Sequence, residues 1–569
     1  MRNAKLELTW IGKENRPKLE PRILLGEPEK SHHAKHRVAE NDLFDNRLIF
    51  GDNLLALKAL EAEFAGKIKC IYIDPPFNTG QAMEDYDDSR EHSIWLSLMR
   101  DRLVLLQRLL SPDGTLLVHI DDNELGYLVV LLDELFGRDN RLYVVTFKQG
   151  SATGHKSINP GCVSTTNFLL MYAKDKSRWN PNRVFTARER DTRYGQYIEN
   201  LEDPFGQWRI ITLMKAFAVA NRISEKDARL LAKSHPAKLD EFVVSRAPCV
   251  VQLAKPNYES VSAEARKLID RSEEDVDEIF RLQRDEYSDI YLKGGKRILF
   301  YSDKLKKVDD EWVAAEPLTT LWDDILSNNL HAEGGVTFPK GKKPEGLIKR
   351  VLELSTTAGD WILDSFAGSG TTGAVAHKMG RRWIMVELGE HCHTHIIPRM
   401  KKVIDGEDPG GITEAVGWKG GGGFRYYRLA PSLMEKDKWG NWVINKDYNA
   451  AMLAEALCKL EGFTYAPSDS VYWQHGRSTE RDFIYVTTAS LSHDQLQQLS
   501  DEVGPERSLL VLCTAFRGRG EYANLTVKKI PKQVLSRCEW GHDDYSLRVE
   551  NLPKAPPKPG QIKMELAGE

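Results

Sequence analysis

The sequence predicts an α/β protein built on a doubly wound, Rossmann-like sheet, with one inserted domain and a small C-terminal α/β unit. Three observations lead there. Short β-branched runs alternate with runs of helical spacing from Leu48 to about Lys174, and again after Trp322; that rhythm specifies a sheet covered by helices. Between about Asp175 and Thr320 the rhythm stops, and Arg, Lys and aromatic residues take over. Two turns, one Pro-rich and one Gly-rich, directly follow short strands, at the edge where open α/β sheets bind ligands.

Residues 1–40 are polar and rich in Pro and Lys, which predicts an extended arm. Asp52 is placed to cap a helix in which Leu54, Leu57, Leu60 and Phe64 recur at helical spacing. Lys67–Asp74 reads as a buried strand, stopped by two prolines that cannot continue a ladder. Ser93–Leu110 reads as a long apolar helix closed by the turn Ser111-Pro112-Asp113-Gly114. Strands at Thr115–Ile120, Leu142–Phe147 and Phe168–Ala173 and a helix at Asn123–Phe136 complete the first half. The insert interleaves Trp179, Tyr194, Tyr197 and Trp208 with Arg183, Arg188, Arg190, Arg193 and Arg209, then turns helical and charged over residues 262–287. Alternation resumes with a helix at Lys343–Leu354, a strand at Trp361–Asp364, a helix at Thr372–Met379 and a strand at Trp383–Glu387. The glycines of Lys419–Gly423 read as a hinge or linker. Beyond it, Asp447–Leu460, Asp482–Thr487, His493–Glu502 and Ser508–Thr514 form helix, strand, helix and strand, before a Pro-rich tail at Pro553–Pro559.

A chain of 569 residues accommodates about three or four domains. It carries 79 Lys and Arg against 83 Asp and Glu, so any attraction to phosphate must come from a local basic surface. Seven cysteines without a CxxC pair argue against a disulfide framework or zinc knuckle and for a reducing cytoplasm. There is neither an apolar N-terminal h-region nor a run of 18 apolar residues, so the expectation is a soluble cytoplasmic protein without membrane association.

Two motifs carry chemistry. Asp74-Pro75-Pro76-Phe77 supplies a carboxylate, a backbone carbonyl held rigid between prolines, and an aromatic face. An exocyclic amino group on a base is a poor nucleophile, and two acceptors for its N–H atoms beside a stacking platform are what its alkylation requires. Taken alone, the tetrapeptide is equally a strand-terminating turn. Asp364-Ser365-Phe366-Ala367-Gly368-Ser369-Gly370-Thr371-Thr372 follows a strand and opens a helix, so its bare backbone can approach a ligand closely. It lacks the third glycine of the dinucleotide fingerprint and the Gly-Lys-Ser/Thr ending of a P-loop. Glu387 ends the next strand, where an acid can take the ribose hydroxyls of a nucleoside cofactor.

In these motifs and their order the sequence resembles the β-class amino DNA methyltransferases. It is most similar to the modification (Mod) subunits of type III restriction–modification systems, through WIGKE, VHIDDNELGYLVVLLDELFG and SNNLHAEGGVTFPKGKKPEGLIKRVLEL. The resemblance implies a circularly permuted, S-adenosyl-L-methionine-dependent methyltransferase sheet. It divides the chain into an arm (1–40), a catalytic half (41–174), a target-recognition insert (175–320), a cofactor half (321–418) and a linker, C-terminal domain and tail (419–569). Asp74, Pro75, Pro76 and Phe77 would then be catalytic. Asp52, Lys343, Asp364, Phe366, Ala367, Gly368, Gly370, Thr371 and Glu387 would hold the cofactor, with Asp52 at its adenine and Lys343 at its carboxylate end. Lys340 and Lys342 compete with Lys343 for that role. Arg183, Arg188, Arg190, Arg193 and Arg209 would contact DNA.

The implied function is methylation of adenine N6 in double-stranded DNA by base flipping, by a homodimer working with a nuclease–helicase restriction subunit. N4 of cytosine is the alternative, less favoured because that chemistry more often goes with Ser where this chain has Asp74. Two further readings stay open: a recognition module whose main task is to target the nuclease, and a methylase of RNA or of a protein amide. No metal is expected: in His391-Cys392-His393-Thr394-His395 only His391 and His395 share a helix face. The C-terminal domain reads as a dimer or partner interface without cleavage activity.

Overall fold

The computed structural model describes residues 7–77, 88–150, 161–285, 287–308, 311–325, 330–336, 338, 342–517, 521–530 and 534–546. The chain forms two compact units, Met1–Asn182 with Thr320–Glu569, and Arg183–Thr319.

The first unit is organised by an 11-stranded sheet. Its order is Leu24–Gly26, Gly423–Leu429, Asn46–Phe50, Arg382–Glu387, Trp361–Asp364, Ile68–Ile73, Leu110–Ile120, Thr166–Ala173, Arg141–Lys148 and Leu321–Trp322, with His32–His33 pairing beside Gly423–Leu429. From Gly423–Leu429 to Leu110–Ile120 neighbouring strands are parallel; Thr166–Ala173 then turns antiparallel. This is the doubly wound sheet expected. The two halves of the sequence interleave in it, because Trp361–Asp364 lies directly beside Ile68–Ile73. The central strands are buried apolar runs, as strands covered on both faces must be.

The expected turn at Ser111–Gly114 is absorbed into the strand Leu110–Ile120, as a register shift against Ile68–Ile73. A Cβ on Gly114 would lie 2.9 Å from the Ile68 carbonyl, so glycine is what admits this close approach.

Two expectations are corrected. Residues 7–40, the described part of the expected arm, are not free: Leu24–Gly26 pairs with Tyr427–Leu429, and Glu20, Arg22 and Ile23 are buried. The segment covers what would otherwise be an open sheet edge. The Gly420–Gly422 run is not a hinge. Gly421 donates to the Ile404 carbonyl at 2.8 Å, and Cβ atoms at Gly420, Gly421 and Gly422 would meet atoms at 2.9 Å or less. The glycines admit a tight crossing into the strand Gly423–Leu429, which belongs to the main sheet.

The C-terminal residues build a second sheet in the same unit, Thr464–Tyr465, Gly476–Arg477, Asp482–Val486, Ser508–Cys513 and Leu525–Lys529. The helices Ala450–Glu461 and His493–Val503 accompany it, the second started by a Ser492–Gln495 capping box. The Pro-rich tail lies outside the described residues.

The second unit carries a six-stranded antiparallel sheet and the helices Leu213–Asn221, Glu225–Ser234, Pro236–Ser245 and Ala263–Glu274. The expected helical stretch over residues 262–287 ends early, because Ile279–Leu282 pairs as a strand with Ile290–Lys293. Tyr194 and Tyr301 are buried in its core, and Trp208 packs against Tyr291. Among the described residues no helix is long and apolar enough to cross a membrane.

Candidate active site

Four parallel strands deliver the site. Ile68–Ile73, Trp361–Asp364, Arg382–Glu387 and Asn46–Phe50 lie side by side and run the same way. The residues that follow them therefore emerge at one edge: Asp74–Phe77, Ser365–Gly370, Leu388 and Gly51–Asp52. A cavity of about 430 Å³ opens there, lined from all four strand ends together with Arg102, Lys343 and His391.

Asp74 Oδ2 is 2.8 Å from Lys343 Nζ. Its Oδ1 is buried without a hydrogen-bond donor among the described residues, and His119 Nδ1 stands 3.5 Å away. A buried acceptor lacking a donor is costly, and an arriving N–H would satisfy it. Burial raises the Asp74 pKa, against the opposing pull of the Lys343 ammonium. Phe77 lines the same cavity, with the Lys343 ammonium 5.2 Å from its ring centroid. Pro75 is buried, and the Pro76 carbonyl accepts the Trp95 indole N–H at 2.8 Å, which ties the Pro-Pro segment to the helix behind.

Sequence reasoning missed the support behind Asp74. His119 is fully buried between Tyr72 OH, 3.1 Å from its Nδ1, and Asn167 Nδ2, 2.9 Å from its Nε2. Burial, with the Lys343 charge, drives its pKa well below the ordinary histidine value, so the ring is neutral. The available signal was a polar ring at a core position of an apolar strand.

On the opposite wall, Gly368 has φ +53° and presents bare backbone to the cavity. Its N–H donates to Glu387 Oε2 at 2.8 Å, while the Leu388 and Gly389 N–H groups donate to Oε1, each at 2.9 Å. The carboxylate is thereby fixed at the cavity, and Oε2 retains acceptor capacity. His391 meets Oε1 at 3.0 Å, and this bond raises the His391 pKa.

Of the expected cofactor set, Asp52, Lys343, Phe366, Gly368 and Glu387 line the cavity; Asp364, Ala367, Gly370 and Thr371 do not. These four brace the loop from behind, because a turn this tight must satisfy its own polar groups. Asp364 accepts the Phe366 N–H at 2.9 Å and the Thr372 hydroxyl at 2.6 Å, and burial pushes its pKa up to about 7. The Thr371 hydroxyl accepts from Arg399 at 2.8 Å, the Ala367 N–H donates to Val386 at 3.2 Å, and Gly370, at φ +77°, packs under Ile396.

Asp52 lines the cavity and is also the helix cap expected. It caps the helix Asn53–Phe64 through Oδ1, while Oδ2 accepts the Tyr545 N–H at 2.9 Å and lies 3.4 Å from buried Arg102. Ser546 lines the cavity beside it. No local sequence pattern could have brought residues 545 and 546 here.

The donor set fits a nucleoside with a charged tail: a carboxylate for vicinal hydroxyls, an aromatic wall at Phe366, open glycine backbone and a cation at Lys343. His391 is committed to Glu387, and His393 Nε2 lies 2.8 Å from the Tyr426 hydroxyl. Among the described residues no three His, Cys, Asp or Glu side chains are grouped to hold a metal ion.

Residues 68–398 match the family described as DNA methylase. The chain belongs to the DNA methylase family. It is 35% identical over 416 residues to the Mod subunit of the type III restriction–modification enzyme HindVI of Haemophilus influenzae, covering 68% of this chain and 54% of the relative. It is 27% identical over 424 residues to the EcoPI Mod subunit of Escherichia phage P1, covering 65% of this chain and 60% of the relative. The chain thus spans between half and two thirds of the length of these relatives. A DNA modification methylase structure from Thermus thermophilus aligns over 68% of this chain and 100% of its own, at 15% identity and TM-score 0.31.

The five arginines expected to meet DNA all fall in the second unit. Four are engaged by carboxylates of that unit: Arg188 by Glu316 and Arg190 by Asp240, each at 2.7 Å, Arg193 by Asp191 at 2.7 Å, and Arg209 by Glu199 at 3.8 Å. Arg183 packs over Phe185. The stretch is therefore not a bare cationic face. Arg193 and Arg209 remain largely exposed, and exposed ion pairs of this kind exchange partners at little cost.

Proposed function

We propose that this DNA methylase transfers the methyl group of S-adenosyl-L-methionine to N6 of adenine in double-stranded DNA, as the modification and recognition subunit of a type III-like restriction–modification system. The observation that carries the reading is Asp74, whose Oδ1 is a buried acceptor without a donor among the described residues, beside the Phe77 ring and across one cavity from Glu387 and Gly368.

When bound, the cofactor supplies an electrophilic methyl group on a sulfonium. Glu387, Phe366 and the Gly368 backbone hold its nucleoside, and Lys343 its anionic end. The chain does the rest by positioning. A base swung out of the stack lies on Phe77. Asp74 Oδ1 and the Pro75 carbonyl accept its two amino hydrogens, which draws the nitrogen lone pair out of conjugation with the ring. The raised pKa of Asp74 suits it to take the proton that this nitrogen loses once methylated. The Arg183–Thr319 unit is the proposed reader of DNA, and a homodimer joined by a restriction subunit the proposed assembly.

Single-molecule sequencing of DNA from cells expressing the chain tests the reading. Methylated adenine at one recurring site is expected for the wild type and none for Asp74→Ala, with DNA binding retained. Methylation persisting in that variant, or lying on cytosine, would overturn it.

A further inference from the structure

We infer that Lys343 alternates between two anions, Asp74 and the carboxylate end of the cofactor, so that cofactor loading is what releases Asp74 for the target amine. The inference rests on the methyltransferase reading above.

The position of the ammonium is the first reason. Lys343 Nζ stands 2.8 Å from Asp74 Oδ2 and 5.2 Å from the Phe77 ring centroid. It thus covers the aromatic face on which a base would stack and shares the carboxylate that the base would use. A nitrogen that gains positive charge as it is alkylated is opposed by a second cation on that carboxylate. Lys343 has to leave for the acceptor to work at full strength.

The second reason is that the neighbouring cations are already engaged. Arg102 is committed to Asp52, Asn53 and the Tyr545 carbonyl, and His391 to Glu387. Lys342 is committed to the carbonyls of Leu330, Glu333 and Val336. Among the described residues Asp74 is the only ion-pair partner of Lys343. The carboxylate of an amino-acid tail entering the cavity therefore meets, among the described residues, one cation able to turn to it.

The third reason is that only the side chain has to move. The Lys343 carbonyl accepts from the Thr371 hydroxyl at 3.3 Å, and the helix Glu345–Ser355 follows at once. The backbone is held while a flexible four-carbon stem swings. Because binding couplings are reciprocal, a tail that removes Lys343 from Asp74 tightens the site for the base by the same factor that an occupied Asp74 tightens it for the tail.

Calorimetric titration of the full chain tests this, with S-adenosylhomocysteine, which carries the tail, and 5′-methylthioadenosine, which lacks it. Asp74→Asn removes the competing anion. It is expected to bind S-adenosylhomocysteine about tenfold tighter than wild type, within the usual range of such couplings, and 5′-methylthioadenosine unchanged. Lys343→Met is expected to weaken S-adenosylhomocysteine alone, and in that background Asp74→Asn should add nothing. If Asp74→Asn leaves the ratio of the two affinities as in wild type, the handover is wrong. If it still tightens S-adenosylhomocysteine without Lys343, Asp74 acts on the tail directly and the handover is again wrong. If folded wild type binds neither nucleoside, the methyltransferase reading falls and takes the handover with it.

Discussion

The backbone N–H of Tyr545 donates to Asp52 Oδ2 at 2.9 Å, across 493 positions of sequence. The same carboxylate caps a helix through the Leu54 and Leu55 N–H groups and faces buried Arg102, which in turn holds the Tyr545 carbonyl at 3.1 Å. Asp52 is therefore a clamp between the main sheet and the end of the C-terminal unit as well as a cavity wall. Asp52→Ala removes a helix cap and strands a buried guanidinium that keeps other acceptors, so the expected loss is about 3 kcal/mol in urea unfolding. Asp52→Asn retains the cap and should lose about half as much. A loss below about 1 kcal/mol for the alanine variant would mean that the clamp contributes little beyond an ordinary cap.

Glu345 opens the helix that begins two residues after Lys343. It is fully buried, 2.8 Å from Lys378 and 2.7 Å from Arg399, and accepts the Ile412 N–H at 3.0 Å. Lys378 also meets Asp408 at 2.7 Å. Two cations and two anions balance only while Glu345 is present. Glu345→Ala leaves surplus positive charge in the core and is expected to cost about 3–5 kcal/mol. Since Glu345 opens the helix two residues after Lys343, S-adenosylhomocysteine affinity should fall as well. Thermal unfolding and calorimetry on the same preparation check both, and unchanged affinity in a folded variant would separate the cluster from the site.

The sheet, the cavity edge and the Asp74–Phe77 and Phe366–Gly368 turns were legible because each is a local pattern: strand periodicity, then a breaker, at a place the parallel fold makes common. What was not legible depends on distant partners. Asp364 and Glu387 look alike in sequence, each an acid ending a strand. Only the third dimension turns Asp364 back onto Thr372 and Glu387 toward the cavity. The Gly420–Gly422 run carries the composition of a linker, and only the backbone packed against it makes it a crossing. Arg188 and Arg190 read as part of a basic face because their carboxylate partners, Glu316 and Asp240, lie 128 and 50 positions away along the chain.

Those pairings decide which arginines test DNA binding. Reversing Arg188 or Arg190 would break ion pairs inside the second unit, and weaker binding would then be ambiguous. Arg193 and Arg209 are more exposed. Glutamate at both is expected to weaken DNA binding across all sequences and to lower the slope of log affinity against log salt by about 1 for each phosphate that the wild-type side chain neutralises. Fluorescence anisotropy over a range of salt reads the slope directly. An unchanged slope would remove these two residues from the DNA surface.

His377 links the glycine crossing to the helix behind the cofactor loop, and it predicts a pH dependence. Its Nε2 lies 2.8 Å from the Gly421 carbonyl and its Nδ1 accepts the Trp383 indole N–H at 3.2 Å. An indole nitrogen only donates, so Nδ1 must stay unprotonated. Burial lowers the His377 pKa from 6.5 to about 4. Between these values the unfolded chain binds the extra proton and the folded chain does not. The contribution of His377 to stability is thus present in full above about pH 6.5 and is lost as pH falls toward 4, by about 3 kcal/mol in all. Asp364, raised to about 7 by burial, acts the other way: the folded chain holds its proton more tightly, so its protonation stabilises the fold as pH falls. The difference between wild type and His377→Gln isolates the histidine. Urea midpoints from pH 7 to 4.5 should converge as the wild type loses its advantage, and parallel curves would show that the ring does not titrate as its burial requires.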